Sequence, residues 1–151
     1  MSIWWSLHLR REAASVPLAR RLLIGTMETS GVDPDISFDL SVALSEACAN
    51  AVEHGGRERP GEKTGAYRVT AYLDGEKCRI EVADSGPGFP ARRVVRRSAP
   101  APALTSENGR GLRLIEQLAD HVHVRNRPGH GAVVSFDKIL KWREGALLRA
   151  V

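Results

Sequence analysis

Two short segments rich in turn-forming residues constrain the fold of this chain more than any other feature. Asp74-Gly75-Glu76 separates two stretches in which apolar residues alternate with polar ones, and Pro128-Gly129-His130-Gly131 separates two more. Turns this tight join neighbouring antiparallel strands, because so few residues cannot make any other connection. The sequence therefore predicts two β-hairpins, with strands at residues 67–73, 77–83, 122–126 and 132–136.

Helical periodicity fills the intervals before and between these hairpins. Apolar residues repeat at helical spacing after Ser15, which can cap the helix, and Gly31 ends the pattern. Asp33-Pro34-Asp35 then opens a second helix, predicted at about residues 36–52, and a third is predicted at residues 111–119.

Hairpins with helices inserted between them indicate an α+β domain of two layers. We expect a mixed, mainly antiparallel sheet covered by helices, with the whole chain of 151 residues forming a single domain. Residues 138–151, which follow the last predicted strand, are expected to form a short helix or to fray.

The first strand, predicted at residues 3–9, bears on oligomeric state. Trp4 and Trp5 are consecutive, so in a strand they face opposite sides. One of the two is then exposed or lies at an interface, which suggests a homodimer through this strand.

Charge and hydropathy limit the class of protein. No apolar run approaches the roughly 18 to 20 residues of a membrane helix, so no membrane association is predicted. The N-terminus lacks the basic-then-apolar order of a signal peptide, so a cytoplasmic protein is expected. The formal net charge of +4 suits a polyanionic ligand without identifying one. The arginines at positions 92, 93, 96 and 97 are interpreted mainly as a solvated cluster, and direct nucleic-acid binding is not expected.

An acidic and an amide side chain interrupt the apolar second helix. Glu46 and Asn50 are four residues apart, so they lie about 40° apart on one helix face. Two interpretations are open. The pair faces solvent, or Asn50 gives an oxygen ligand to Mg²⁺ while Glu46 orients or deprotonates an attacking hydroxyl.

Two glycine-bearing segments have similar alternatives. Asp84-Ser85-Gly86-Pro87-Gly88 directly follows a predicted strand, where it is either an ordinary turn or a place where a carboxylate and an exposed backbone meet a ligand. Gly109-Arg110-Gly111-Leu112 precedes the third predicted helix, where it is either a tight turn or a phosphate site at a helix N-terminus.

Taken together and in this order, these motifs resemble those of the GHKL family of ATP-binding domains, and within it the anti-sigma-factor serine kinases of bacteria. The resemblance rests on residues 44–54 (LSEACANAVEH), 82–89 (VADSGPGF) and 108–115 (NGRGLRLI), and it covers roughly residues 7–136. The closing segment 131–136 (GAVVSF) has alanine at position 132, where many members have threonine.

The resemblance implies the fold of that family, the Bergerat fold, and a role for each matching residue. Asn50 is the expected magnesium ligand, Glu46 the catalytic base and Asp84 the contact to adenine of ATP. Gly86 and Gly88 are expected beside the nucleotide, and Gly109, Arg110, Gly111 and Leu112 at its phosphates. Residues 89–108, with three prolines and four arginines, are the expected ATP lid.

No segment of the sequence predicts the helical dimerisation domain with which histidine-kinase catalytic domains work. We therefore expect a serine/threonine-protein kinase that acts on another protein, a small antagonist, and that also binds a sigma factor. The alternative is a non-catalytic module of the same fold that binds proteins in an ATP-dependent way; the presence of Glu46 favours the enzyme.

Overall fold

The computed structural model describes residues 1–54, 65–84, 107–127 and 131–146. Its elements, in chain order, are β1 (Ile3–Arg10), α1 (Ser15–Ser30), α2 (Pro34–His54), β2 (Ala66–Leu73), β3 (Lys77–Asp84), α3 (Glu107–Leu118), β4 (His121–Arg127) and β5 (Gly131–Ile139). Each predicted strand and helix is present, and most of their observed boundaries differ from the predicted ones by one to four residues.

The five strands form one sheet in the order β1-β2-β3-β5-β4. Each neighbouring pair in the described residues is antiparallel, so the expected mainly antiparallel α+β fold is confirmed, and the parallel pairing that a mixed sheet would contain does not occur among these strands. Both predicted hairpins are present. In the first, backbone N–H groups of Glu76 and Lys77 donate to Oδ1 of Asp74, which lowers the pKa of that carboxyl group.

One face of the sheet is covered by the helices. The strands alternate in burial, and α2 packs against both α1 and α3, so it occupies the middle of the helical layer. The predicted apolar stripe of α2 is buried as expected: Leu40, Ala43, Leu44, Ala47 and Ala51 are 0 to 5% exposed. Any polar side chain on the flanks of α2 therefore faces a neighbouring helix as much as solvent.

Of the two predictions for the ends of α1, the one for its start is wrong and the one for its end is confirmed. The prediction that Ser15 caps this helix is wrong, because its hydroxyl donates to the Glu12 carbonyl at 2.7 Å and hydrogen-bonds with the Tyr67 hydroxyl. Tyr67 is 2% exposed, and a buried phenol needs a polar partner. Gly31 ends the helix as predicted, at φ 90°, with its N–H bonded to the Met27 carbonyl at 3.0 Å.

The start of α2 follows the sequence closely. The N–H of Asp35 donates to Oδ1 of Asp33 at 2.8 Å, and Pro34 occupies the first helical position, where its missing N–H leaves no hydrogen bond unmade. The second helix thus begins two residues earlier than the periodicity predicts.

The prediction that residues 138–151 form a short helix or fray is wrong as far as residue 146. β5 continues to Ile139, and the chain then runs along the turn between α1 and α2. Trp142 forms a β-bridge with Val32, and the N–H of Arg143 donates to the Gly31 carbonyl at 2.7 Å. Backbone hydrogen bonds to that turn hold the segment, and residues 147–151 lie outside the described part.

Trp4 and Trp5 face opposite sides of β1, as predicted. Trp4 is 65% exposed, whereas the indole N–H of Trp5 donates to the Thr26 hydroxyl at 3.1 Å beneath α1. β1 is an edge strand of the sheet, and a homodimer through it stays a prediction. Within the described helices, none is long and apolar enough to cross a membrane.

The contact of Gly31 with the C-terminal segment generates a stability prediction. A Cβ atom on Gly31 would lie 2.5 Å from the Cβ of Ala146, and the positive φ is strained for any other residue. We expect Gly31→Ala to lower the free energy of unfolding by about 1 to 3 kcal/mol, measured by urea denaturation.

Gly25 provides the matched control for that substitution. It lies inside α1, and no atom would come within 4 Å of an added Cβ. Gly25→Ala should raise the free energy of unfolding by about 0.5 to 1 kcal/mol, because alanine favours the helix. If Gly31→Ala were as stable as Gly25→Ala, residues 143–146 would not pack on the α1–α2 turn.

Candidate functional site

Glu46 and Asn50 share one face of α2, and that face lies against α3. A Cβ atom on Gly111 would lie 3.0 Å from Nδ2 of Asn50 and 3.4 Å from Oε2 of Glu46. Asn50 is only 8% exposed and Glu46 is half-buried. The predicted common face is therefore confirmed, and the interpretation of the two residues as a solvent-facing pair does not fit Asn50.

The amide of Asn50 lacks a hydrogen bond within the described residues. Its Nδ2 atom is buried and has no partner there, although buried amides in folded proteins nearly always have one. A buried amide without a partner makes Asn50 a candidate for contact with a ligand.

Gly111 allows the close approach between the two helices. It lies in the first turns of α3, because this helix begins at Glu107, four residues before the predicted start. The prediction that the Gly109–Gly111 segment precedes the helix is therefore wrong. Glycine has the second-lowest helix propensity, which is why the sequence pattern suggested a boundary. In the structure a Cβ at this position would press on the Asn50 amide, which would have to shift by a few tenths of an ångström.

The helix N-terminus still offers unpaired donors at this place. The first four N–H groups at the start of any α-helix have no partner within the helix, and in α3, whose first helical residue is Glu107, they include those of residues 107–109. They carry the positive end of the helix dipole, which favours an anion such as phosphate. The N–H of Gly111 can bond to the carbonyl of residue 107 within the helix, so it is not one of these free donors. The role of Gly111 is to let α3 come close to α2.

Asp84 lies at the end of β3, where β5 begins. Its Oδ1 accepts the N–H of Ala132 at 3.3 Å. Gly131 has φ 108°, and a Cβ there would lie 2.1 Å from the backbone oxygen of Asp84, so the two strand ends can meet only with glycine at this position. The sequence signal for Gly131 was its place in the closing motif; its contact with Asp84 was not predicted.

The other predicted site residues divide into two groups. Leu112 is partly buried and packs against the core, where it fixes α3 to the rest of the helical layer. Gly86, Gly88, and residues 89–106 of the expected lid lie outside the described residues, as does the side chain of Arg110. Residues 107 and 108, expected in the lid, belong to α3 instead.

Cys48 lies between the two polar residues of α2 but on the opposite, sheet-facing side. Burial raises the pKa of its thiol to about 12, so this thiol stays protonated at neutral pH and cannot act as a nucleophile. Cys78 is also buried, and both cysteines are free.

The residues present fit a magnesium ion only if most of its ligands come from elsewhere. Within the described part of the chain, no three histidine, cysteine, aspartate or glutamate side chains group together to hold a metal. Mg²⁺ is commonly held by one or two protein oxygens, with phosphates and water completing its octahedron. The buried amide of Asn50 is a suitable single ligand.

Comparisons with known proteins show the family of this chain. The family described as "Histidine kinase-like ATPase domain" matches residues 9–138. The chain is 35% identical over 130 residues to a protein of Bacillus licheniformis named "Serine-protein kinase RsbW", covering 83% of this chain and 78% of that protein. It is 34% identical to the Bacillus subtilis protein of the same name, covering 76% and 72%.

Solved structures show the same fold. The crystal structure of the RsbU and RsbW domains of a Mycobacterium tuberculosis protein superposes with a TM-score of 0.64 at 23% identity. The match covers 91% of this chain but only 33% of that longer one. The family match over most of the chain, joined to the convergence of Glu46, Asn50 and Gly111, leads to one conclusion: the chain belongs to the histidine kinase-like ATPase domain family.

Proposed function

We propose that this protein is an ATP-dependent serine/threonine-protein kinase of the anti-sigma-factor type. The observation that carries the proposal is the convergence of Glu46 and the buried Asn50 amide on Gly111 at the start of α3. The relatives at 34 to 35% identity carry the name of a serine-protein kinase, and the chain spans more than two thirds of their length.

The proposed roles on α2 follow from chemistry and position. Asn50 supplies an amide oxygen to Mg²⁺, which brings the nucleotide phosphates with it and neutralises their charge. Glu46, one turn away and half-buried, accepts the proton of the attacking serine or threonine hydroxyl. Glu46 is held beside Gly111, so it lies next to the helix N-terminus that faces the phosphates.

Asp84 and the glycine segments bind the rest of the nucleotide in this proposal. The Asp84 carboxylate accepts a hydrogen bond from the amino group of adenine, and the contact with Ala132 orients it. Gly86 and Gly88 leave room for the base and ribose, while Gly109, Arg110, Gly111 and Leu112 form the phosphate-binding start of α3.

The proposed partners are two proteins, a sigma factor that the kinase binds and a small antagonist that it phosphorylates. A cytoplasmic location follows from such partners. The alternative is an ATP-dependent binding module without catalysis, which has the same nucleotide site. The two hypotheses differ only in whether Glu46 acts as a catalytic base.

Glu46 and Asn50 can be separated by substitution. Glu46→Gln keeps the shape of the side chain, so Mg-ATP should bind within a few fold while phosphoryl transfer falls by about 10² to 10⁴. Asn50→Ala removes the metal ligand, so Mg-dependent binding and transfer should fall together. Calorimetry with ATP, with and without Mg²⁺, and phosphate incorporation into a serine-bearing antagonist measure the two effects.

The opposite result would decide for the binding module. A wild-type protein that binds Mg-ATP and engages the antagonist, yet transfers no phosphate, and whose behaviour Glu46→Gln leaves unchanged, is not a kinase. The proposal of nucleotide binding through Asn50 would survive that result.

Asp84→Asn tests the contact to adenine. Asparagine keeps an oxygen that can accept the Ala132 N–H, so the fold and the melting temperature without ligand should be preserved. Nucleotide binding should weaken by about 1.5 to 3 kcal/mol. The stabilisation by ATP, about 2.7 kcal/mol for wild type at 100 times its dissociation constant, should therefore largely disappear in thermal melts. An equal ATP-induced shift in both proteins would remove Asp84 from the site.

Gly111→Ala tests the close approach of α3 to α2. The added methyl group would lie 3.0 to 3.4 Å from the polar atoms of Asn50 and Glu46, so one of them must move. We expect Mg-ATP affinity to fall about tenfold or more, with the circular dichroism spectrum unchanged. Gly25→Ala, a glycine replacement in a helix with open space around it, should leave affinity at the wild-type value. Equal affinities in both variants would show that the nucleotide does not use this contact.

A further inference from the structure

A cavity of about 620 Å³ lies beside the turn between α1 and α2. Small-molecule sites in proteins have volumes of roughly 300 to 1,000 Å³, so a ligand of modest size fits here. The last turns of α1, the first turns of α2 and the segment after β5 border the cavity, which we call the turn cavity. Its described lining residues are Ile24, Glu28, Thr29, Val32, Pro34, Ser37, Phe38, Ser41 and Arg143.

The turn cavity is separate from the nucleotide site. Ser37, which lines the cavity, lies nine positions before Glu46 on α2. At 1.5 Å per residue, the two are about 14 Å apart along the helix axis. Neither Glu46, Asn50 nor Gly111 is among the described lining residues. A ligand in the turn cavity is therefore a second ligand, distinct from the nucleotide.

Ser37 brings a buried hydroxyl group to this cavity. The residue is 7% exposed, and its backbone N–H donates to the Asp33 carbonyl at 3.0 Å. No hydrogen bond joins its hydroxyl to any of the described residues. Ser41, one turn further along α2, behaves differently, because its hydroxyl donates to the Phe38 carbonyl at 2.8 Å. Buried hydroxyls usually have such a partner, so the Ser37 hydroxyl is available to a ligand.

Two opposite charges line the turn cavity without pairing with each other. Nη2 of Arg143 donates to the backbone carbonyl of Glu28 at 2.7 Å, and no ion pair joins the guanidinium to the Glu28 carboxylate. The carbonyl bond holds the guanidinium in place and occupies one of its five N–H donors. Both charged groups therefore remain free to bind a ligand, and the guanidinium loses little further side-chain entropy when it does.

Apolar side chains supply the remaining contact surface. Ile24 and Val32 line the cavity, and Phe38 stands at its opening with 65% of its surface exposed. Phenylalanine rings bury a large apolar area when a ligand covers them. The combination of apolar walls with a few convergent polar groups is typical of small-molecule sites.

The charges around the turn cavity indicate a ligand with both signs of charge. A simple anion would meet the Glu28 carboxylate on the wall and the carboxylates of Asp33 and Asp35 at the start of α2. A simple cation would meet the Arg143 guanidinium. A charged group next to a like charge, away from bulk water, lowers affinity. A zwitterion with an apolar body avoids both conflicts.

We propose that the turn cavity binds a free amino acid with a large apolar side chain. Arg143 and the Ser37 hydroxyl bind its carboxylate, Glu28 binds its ammonium group, and Ile24 and Phe38 contact its side chain. The proposal does not depend on phosphoryl transfer, because none of these residues belongs to the nucleotide site.

The test uses the full chain, labelled with ¹⁵N, and L-phenylalanine as the probe. We expect amide shifts at residues 24–41 and 140–143. Three matched compounds each lack one part of the probe: 3-phenylpropionate lacks the ammonium group, phenethylamine lacks the carboxylate, and glycine lacks the apolar side chain. Each should bind about tenfold more weakly than phenylalanine, because one group of the site is then left without its partner.

Substitutions identify which group of the cavity reads which charge. Glu28→Gln and Arg143→Gln should each raise the dissociation constant of phenylalanine about tenfold. In Glu28→Gln the preference for phenylalanine over 3-phenylpropionate should disappear, a change that loss of folded protein cannot produce. Arg21→Gln removes an exposed charge of α1 that does not line the cavity, so it should leave the affinity at the wild-type value.

Five outcomes would overturn the proposal. Two are an absence of shifts at roughly 20 mM phenylalanine, where a millimolar site is nearly saturated, and shifts confined to other residues. Equal binding of phenylalanine and 3-phenylpropionate to the wild type would exclude recognition of a zwitterion. Tighter binding of the uncharged peptide acetyl-Ala-Phe-Ala-amide would make the cavity a docking place for a protein segment. Concentration-dependent shifts there without any probe would make its occupant a second copy of this chain.

ATP titration of the same variants reports separately on the proposed kinase. Glu28→Gln and Arg143→Gln should bind Mg-ATP as the wild type does, because their positions lie outside the nucleotide site. Loss of phenylalanine binding with ATP binding intact would therefore support the turn cavity as an independent site.

Discussion

The position of α2 in the middle of the helical layer is the constraint on which the rest of the structure depends. This helix packs against α1, α3 and β3, so most of its side chains are buried or partly buried. Polar groups on such a helix are costly unless they have a partner. Asn50 and Glu46 are polar in this setting, and Gly111 of α3 lies close to both side chains. The apolar side of α2 holds the sheet, and its polar side forms the candidate site.

Patterns of residues predicted the elements of this fold well because each pattern reports local physics. The alternation in β2 and β3, the Asx-type turn at Asp74 and the proline start of α2 are decided within a few residues of sequence. Ser15 was misassigned for the opposite reason. Its hydroxyl serves Tyr67, which is 52 positions away, and no local signal shows that partner. The segment around Trp142 was mispredicted for the same reason, because it is held by the distant turn between α1 and α2.

The candidate site shows the same division between local and distant information. The common face of Glu46 and Asn50 follows from helix geometry, and the order of the glycine motifs led to the correct family. The contact of Gly111 with that face could not be predicted, because it depends on how α3 packs on α2. The contact was hidden further by the low helix propensity of glycine, which placed the predicted start of α3 at Gly111, four residues too late. Glycine in a helix is better interpreted as a possible close approach than as a boundary.

The segment that follows β5 has a consequence for the order in which the protein acquires its structure during synthesis. The turn between α1 and α2 is complete only when Val32 pairs with Trp142 and Gly31 receives the N–H of Arg143, contacts between residues about 110 positions apart. A ribosome adds roughly 5 to 20 residues per second, so the first two helices wait several seconds for their last partner. Until residues 140–146 emerge, the end of α1 and the start of α2 have no strand to pair with. The native fold is therefore completed late, only after the nucleotide-binding motifs have been translated.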